Sequence, residues 1–418
     1  MKNNKSVLYI AYHYPPILGS SGVHRSLAFT RFLSENNWDV SVLTASLKSY
    51  DKWSEEQFSL IPDNIKVIRA FARNVAKHFS WRNKYLGIMA LPDNMQSWII
   101  GGVLSGLKEI IKNKPSVIVS TYPIASAHII AYILHKISGI PWVADLRDPM
   151  AQPGYPSSPT KRKIFKWIER KITKHCTNAI ITTPGAKQFY IEKFPHVNQA
   201  FWQVIPNGYD EKIFNEVASL ISEPNEKIND KITLLHSGVI YPSERDPTSF
   251  FQALAELKKE NKISAEKIEI RLRATGHEHL YLPLLKSLDI EDLVKLEPPI
   301  DYKEALKEMF MVDGLLLFQS EGCNYQIPAK TYEYIRVQKP ILALTPIEGD
   351  TGQLLFTTRL CEIAPLKNSV IIKDTFLNYI SRLVKNDFNT NDVPPEQYSR
   401  QYHARRFVEL VDISREDL

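Results

Sequence analysis

The chain reads as an α/β protein with two Rossmann-like, doubly wound parallel sheets, and three observations predict this. Short runs such as 7–12, 117–120 and 314–318 are apolar almost throughout, as strands covered on both faces are. These runs alternate with longer stretches of helical period, the pattern of repeated β-α units. The alternation occurs twice. The turn VIPNGYD (204–210) and the polar connector 219–231 divide the two series. The division places one domain at 1–210 and a second at 211–394. Two facing domains of this kind leave a cleft at the carboxyl ends of their strands, where such folds bind ligands.

Residues 7–12 form the first strand, and the loop HYPPILGSSGVHRS follows. Gly19 and Gly22 in that loop allow backbone to approach a ligand closely. A helix over 23–35 then carries Arg25 in its first turn. Strands at 40–43 and 67–70 lead to a basic and aromatic stretch, 73–85, and LPDNMQSW (91–98) introduces a helix to about 111. Next come strand 117–120, helix 124–137, strand 141–144 ending in DLRDP, helix 160–174, strand 178–182, helix 185–193 and a strand near 201–205. His128 lies on the apolar side of its helix and reads as a core histidine. The second series has strands at 232–236, 267–273, 294–296, 314–318, 340–344 and 361–364. Its helices are at 248–259, 302–310, 328–337, 350–357 and 370–385, and a last helix runs over 396–411. No full glycine fingerprint follows the first strand, so a dinucleotide cofactor is not expected.

The net charge of +6, from 52 basic and 46 acidic residues, is mild. It suits phosphorylated ligands or anionic lipid, and no nucleic-acid reading motif accompanies it. The three cysteines are far apart and no zinc spacing occurs, which implies a reducing compartment and no metal. The N-terminal run is short, holds Tyr and His, and ends in prolines, unlike a signal peptide. The uncharged window 115–135 is long enough to span a bilayer, but its prolines, histidines and polar middle favour a buried strand and core helix. A cytoplasmic protein is expected.

The stretch SEGCNYQIPAKTYEYIRVQKPILA (320–343) is a loop, a helix start and a strand. Lys330 and Glu333 are three apart and share a helix face. A helix N-terminus beside a lysine can seat a phosphate; a plain solvated Lys–Glu face has the same spacing. The segment KRKIFKWIERKITK (161–174) is a basic amphipathic helix with Ile164, Phe165, Ile168 and Ile172 on one side. Such a helix can lie on an anionic membrane surface or pack its apolar side inward.

Six pieces together resemble the GT-B glycosyltransferases, close to glycosyltransferase family 4 of bacterial surface-polysaccharide synthesis. They are YPPILGSSGVHRS, LPDNMQSW, PWVADLRDP, VIPNGYD, HSGVIYPSERDP and IPAKTYEYIRVQKPILA, in the family's order across nearly the whole chain. The last resembles the donor-site helix and is the most specific. The final helix, 395–418, resembles the family's closing helix, which completes the N-terminal domain.

The resemblance implies an N-terminal acceptor domain and a C-terminal nucleotide-sugar donor domain. The implied reaction is retaining transfer of a sugar to a glycan or polyprenyl-linked acceptor, peripheral to the inner face of the cytoplasmic membrane. Two other readings share the fold: a sugar-nucleotide epimerase, and a catalytically silent nucleotide-sugar-binding subunit. Lys330 and Arg245 are the implied cations for the leaving diphosphate, without a metal. Glu333 is the implied ribose acceptor. The family's partner glutamate, eight residues before Glu333, is replaced by Tyr325. The donor sugar then falls to Ser320, Glu321, Asn324 and Tyr325. Gly19, Gly22 and Arg25 belong to the same expected donor site. Asp145, Arg147 and Asp148 end a strand; they can place an acceptor hydroxyl and take its proton, or Arg147 can lock both acids in an ion-pair network.

Overall fold

A computed structural model of the chain describes residues 5–19, 22–78, 90–221, 231–388 and 395–416. Residues 79–85 of the basic–aromatic stretch, 222–230 of the polar connector and 389–394 of the last loop lie outside the described residues. The chain forms two compact units, Met1–Asn207 with Arg400–Leu418, and Gly208–Ser399.

The first unit contains β1 (Ser6–Ile10), α1 (Gly22–Glu35), β2 (Asp39–Ala45), β3 (Lys66–Ala70) and the short α2 (Val75–His78). These are followed by α3 (Gln96–Asn113), β4 (Val117–Thr121), α4 (Ser126–Ser138), β5 (Trp142–Arg147), α5 (Pro159–His175), β6 (Asn178–Ile181), α6 (Pro184–Lys193) and β7 (Trp202–Val204). Its seven strands are parallel, in the order β3-β2-β1-β4-β5-β6-β7. Alternate strand residues feed two cores. Leu8, Ile10, Ile118 and Trp142 pack with Trp98 of α3, Ile130 of α4 and Phe165 of α5. Val7, Tyr9, Val119 and Val143 pack with Phe29 of α1 and Phe407. The period-2 alternation of a strand thus gives a helix–sheet–helix sandwich.

The second unit contains α7 (Glu211–Leu220), β8 (Ile232–Ser237), α8 (Thr248–Lys259), β9 (Ile268–Arg273), α9 (Glu278–Ser287), β10 (Val294–Glu297) and α10 (Tyr302–Met311). Then come β11 (Gly314–Phe318), α11 (Ala329–Val337), β12 (Ile341–Leu344), α12 (Asp350–Thr358), β13 (Cys361–Ala364) and α13 (Ser369–Val384). Its parallel sheet has the order β10-β9-β8-β11-β12-β13. Leu234, Leu316 and Leu342 face α8 and α13 through Phe250 and Phe376, while Leu235, Leu315 and Ile341 face α7, α10 and α11 through Phe214, Leu306 and Ile335.

The last helix, α14, is Arg400–Glu416, and a single 3-10 turn, Pro395–Tyr398, precedes it. It therefore starts and ends later than the 396–411 read from sequence. It packs on α1, where Phe29 and Phe407 stack at 4.1 Å, and Lys5 pairs with Asp412 at 2.6 Å. Three of the named helices were not anticipated, the four-residue α2 inside the basic–aromatic stretch, α9 and α7. α9 holds Pro283 in its interior, which reads locally as a breaker. α7 sits directly behind a turn sequence, although Asp210 caps it by accepting from Lys212 N–H.

His128 is fully buried. Its Nδ1 is 2.8 Å from Ser120 Oγ, which also accepts Trp142 Nε1–H, and its Nε2 has no partner among the described residues. Burial drives its pKa down to about 4. The folded state therefore keeps His128 neutral where an unfolded chain would protonate it. Its contribution is complete above the ordinary histidine value and is lost as pH falls from about 6.5 toward about 4, by at most ~1.4 kcal/mol per pH unit. NMR should show no titration of this ring above about pH 5, and His128→Gln should flatten the acid limb of the unfolding curve.

Candidate functional site

In the second unit, β8 and β11 are neighbours, and the chain leaves them toward opposite edges of the sheet. The gap above their carboxyl ends is a topological switch point. His236 and Ser237 end β8, and Gly238 follows with φ +107°. Lys330, in the first turn of α11, reaches this point: its Nζ is 2.9 Å from His236 Nε2. His236 is wholly buried and its Nδ1 lies 2.9 Å from the Leu316 carbonyl. A carbonyl can only accept, so Nδ1 carries the proton and Nε2 accepts from the Lys330 ammonium. Burial, then the Lys330 charge, push His236 well below the ordinary histidine value, in keeping with a neutral ring. Burial and the Arg245 charge likewise push Lys330 well below the usual lysine range, while Glu333 opposes them. Arg245 is anchored by Nη1 donating to the Val239 carbonyl at 2.9 Å, over the ring of Tyr241. Two cations thus converge beside backbone that lacks a Cβ.

A methyl at Gly238 would lie 3.2 Å from Lys330 Nζ, on a backbone conformation that side chains rarely adopt. Gly238→Ala should therefore cost about 1–3 kcal/mol and displace the ammonium. Denaturant unfolding measures the first effect, and weakened phosphate-ligand binding the second.

Glu333 is buried one turn further along α11, and its Oε1 accepts from Tyr302 O–H at 2.7 Å. The loop after β11 is shaped by buried Gln319, whose Nε2 donates to the carbonyls of Cys323 (2.7 Å) and Gln326 (2.9 Å). Ser320 N–H donates to the Glu244 carbonyl at 2.8 Å, tying this loop to the one that carries Arg245. Glu321 and Tyr325 are exposed, and Asn324 lies against Gly349. Ser320 and Glu321 edge a 230 Å³ cavity shared with Thr345, Glu348 and Lys367.

In the first unit the equivalent switch point lies between β1 and β4. Asp145 is fully buried and receives Arg25 in bidentate fashion, Nε to Oδ2 at 3.0 Å and Nη2 to Oδ1 at 2.9 Å. Thr121 Oγ1 adds a third donor at 2.9 Å. Arg25 spends its remaining donors on the carbonyls of Ile205 (3.0 Å) and Pro206 (2.9 Å) and on Asn207 Oδ1 (3.5 Å). The ion-pair lock considered for Arg147 is thus made by Arg25, on one acid rather than two. Both groups are saturated by protein.

Arg147 has φ +61°, lies at a register shift of β5, and approaches the Tyr122 carbonyl at 3.3 Å. Its guanidinium fills the space that a Cβ on Gly22 would need, while Gly19 faces open space at φ +81°. Asp148 is half-buried, 3.5 Å from Thr182 Oγ1, and burial raises its pKa although Arg147 pulls it down. His13, after β1, has a buried Nδ1 with no partner among the described residues, and burial with the Arg147 charge lowers its pKa to about 4. His13 and Gly19 line a cavity of 530 Å³ whose walls include Tyr12, Asn94, Tyr122, Tyr155 and Lys161; Arg147 and Asp148 are not among its lining residues. Asp93 at its edge is structural: it accepts from the N–H and O–H of Ser126 at 2.8 and 2.9 Å, capping α4 from another segment.

The fold brings Lys330, Arg245, Glu333 and Ser320 together in one unit, and Arg147, Asp148 and Gly22 together in the other. His236, His13, Tyr302 and Gln319 were not singled out in the sequence. His236 stood inside the quoted HSGVIYPSERDP, and a histidine closing an apolar strand was the available signal. Among the described residues no group of three or more His, Cys, Asp or Glu could hold a metal ion, and no helix is long and apolar enough to cross a membrane.

Compared by sequence, the chain matches no family model and no curated protein. Compared by structure, it resembles sucrose-phosphate synthase from Thermosynechococcus elongatus, with a TM-score of 0.61 at 14% identity over 98% of this chain and 95% of the other. It also resembles Anabaena HepE in complex with UDP-glucose, with 0.60 at 13% over 99% and 98%. A third likeness is to UDP-GlcNAc 2-epimerase from Neisseria meningitidis bound to UDP-GlcNAc, with 0.55 at 13% over 97% and 99%. Identities this low speak for architecture alone, and the architecture is clear: the chain has a GT-B-like fold with parallel Rossmann-like sheets of seven and six strands.

Proposed function

We propose that the protein is a glycosyltransferase that moves a sugar from a nucleotide-sugar donor to a glycan or polyprenyl-linked acceptor with retention of configuration. The observation that carries this reading is the placement of Lys330, His236, Gly238 and Arg245 at the switch point of the second sheet. A diphosphate set there meets two cations and an approachable backbone, and Glu333, steadied by Tyr302, offers a carboxylate to the ribose hydroxyls. In the reaction the bond from the anomeric carbon to the β-phosphate oxygen breaks, and one from the acceptor oxygen to that carbon forms. Lys330 and Arg245 stabilise charge on the departing diphosphate. Ser320, Glu321, Asn324 and Tyr325 surround the sugar.

The first unit takes the acceptor in the aromatic-walled cavity. The acceptor proton passes to Asp148, whose burial brings its pKa toward that of a working base, or to the leaving phosphate. Arg147 steadies the anionic partner, and Arg25 with Asp145 holds the floor. Contact of the α5 helix with anionic lipid fits a lipid-linked acceptor.

An epimerase is the second reading, because UDP-GlcNAc 2-epimerases share the fold at similar similarity. Calorimetry with nucleoside diphosphates and their sugars, repeated on Lys330→Ala and Glu333→Ala, tests the donor site. Selective binding lost in both variants supports it, and no binding by folded protein removes it. Incubation with the identified donor alone then separates the reactions, since an epimerised nucleotide sugar formed without acceptor would replace transfer by epimerisation.

A further inference from the structure

The 230 Å³ cavity at the carboxyl ends of β11, β12 and β13 has a mixed chemistry that a plain hexose does not use. Its floor is apolar. Pro346 follows β12, Ile363 belongs to β13 and Leu366 follows it, and Pro346 and Leu366 are buried. Its rim carries Glu321, Glu348 and Lys367, all exposed. Among the described residues these three side chains form no hydrogen bond or ion pair, either with one another or with other groups.

The walls are braced by the protein itself. Asp350 N–H donates to the Asn324 carbonyl at 2.9 Å and Thr351 Oγ1 to that of Gln326 at 3.0 Å, so α12 supports the loop that bears Glu321. Thr345 N–H donates to the Ala364 carbonyl at 2.8 Å, joining the ends of β12 and β13. A Cβ on Gly352 would collide with the Pro346 carbonyl, so α12 packs directly on the segment that carries Pro346. A preformed cavity with an apolar floor and a few polar groups is the usual form of a ligand subsite, and binding there costs little ordering.

The chemistry selects the occupant. A sugar hydroxyl would leave the apolar floor to water. A carboxylate would face two acids against one lysine, and a free ammonium would suit the acids but not the floor. An N-acylamino group meets every wall. Its methyl covers Ile363 and Leu366, its N–H donates to a rim carboxylate, and its carbonyl accepts from Lys367.

We propose that this cavity takes an N-acylamino substituent of the donor sugar, which makes the substrate a nucleotide-activated N-acylamino sugar rather than a plain hexose. The inference rests on the donor site proposed above, because Ser320 and Glu321, placed there around the sugar, also border the cavity.

Calorimetry on the full chain first finds which of UDP, GDP, ADP and dTDP binds. It then compares the glucose and galactose derivatives of that nucleotide with their 2-acetamido and 4-acetamido counterparts. An acetamido sugar should bind about tenfold or more tighter than its hydroxyl form, the combined effect of a covered methyl and new hydrogen bonds. Ile363→Phe narrows the floor, and Lys367→Ala removes the carbonyl's donor from an exposed position. Each should erase most of that gain, roughly five- to tenfold, and the loss should fall on the acetamido sugars alone. Thermal melting checks the fold, and Lys367→Ala carries the test if Ile363→Phe does not fold. Equal affinity for hydroxyl and acetamido forms, a gain untouched by Lys367→Ala, or a loss shared equally by the bare diphosphate would overturn this assignment and leave the donor site standing. No diphosphate binding by folded protein would remove both.

Discussion

Replacing Arg25 by alanine is expected to cost the first unit about 3–5 kcal/mol, because it leaves the Asp145 carboxylate charged, buried and without its partner. The loss extends beyond the ion pair, since the carbonyls of Ile205 and Pro206 lose their donors too. Arg25→Lys should not rescue it: a single ammonium cannot span both oxygens and the two carbonyls. Asp145→Asn should destabilise in the same way by stranding the guanidinium. Denaturant unfolding of both variants gives the measurement. An Arg25→Ala protein of unchanged stability that instead bound nucleotide more weakly would return this arginine to the donor site and dissolve the structural lock.

Replacing Lys330 by alanine is expected to weaken nucleoside diphosphate binding about 10–100-fold, the worth of a charge-assisted contact of roughly 1.5–3 kcal/mol, with little change in stability. The perturbed lysine adds a signature that simple loss of a contact lacks. Burial and Arg245 lower its pKa in the free protein, and a bound diphosphate would raise it again. At pH above that lowered value binding should then take up a proton, and affinity should fall as pH rises through it. Calorimetry in buffers of different ionisation enthalpy reads that proton directly. His236→Phe should keep the fold but release Lys330 from the acceptor His236 Nε2, weakening binding and moving the pH profile. A wild-type protein whose binding was indifferent to pH and buffer would mean that Lys330 is an ordinary surface cation.

Much of this molecule is legible without coordinates. Strands buried on both faces show as unbroken apolar runs, and their alternation with helical stretches requires parallel sheets, so both doubly wound units follow from pattern. The strand-end motif DLRDP and the Lys330–Glu333 pair also stand out, because helical and strand periods place them at ends and faces. The elements that escaped were those where local signals disagree with packing, such as α9 with its internal proline.

Partner choice is a different kind of information. That Asp145 answers to Arg25, 120 residues away, rather than to neighbouring Arg147, depends on how β1, β5 and β7 come together. His236 meets Lys330 only because β8 and β11 are adjacent in the sheet. The apolar side of α5 faces the core rather than outward because Phe165, Ile168 and Ile172 complete a cluster with Ile130 and Trp142. The sequence by itself determined the architecture and the inventory of charged groups, since periodicity and composition are local. Which charges are spent inside the protein, and which are left for a ligand or a membrane, only the tertiary structure decided, because burial and pairing are properties of contacts between distant segments.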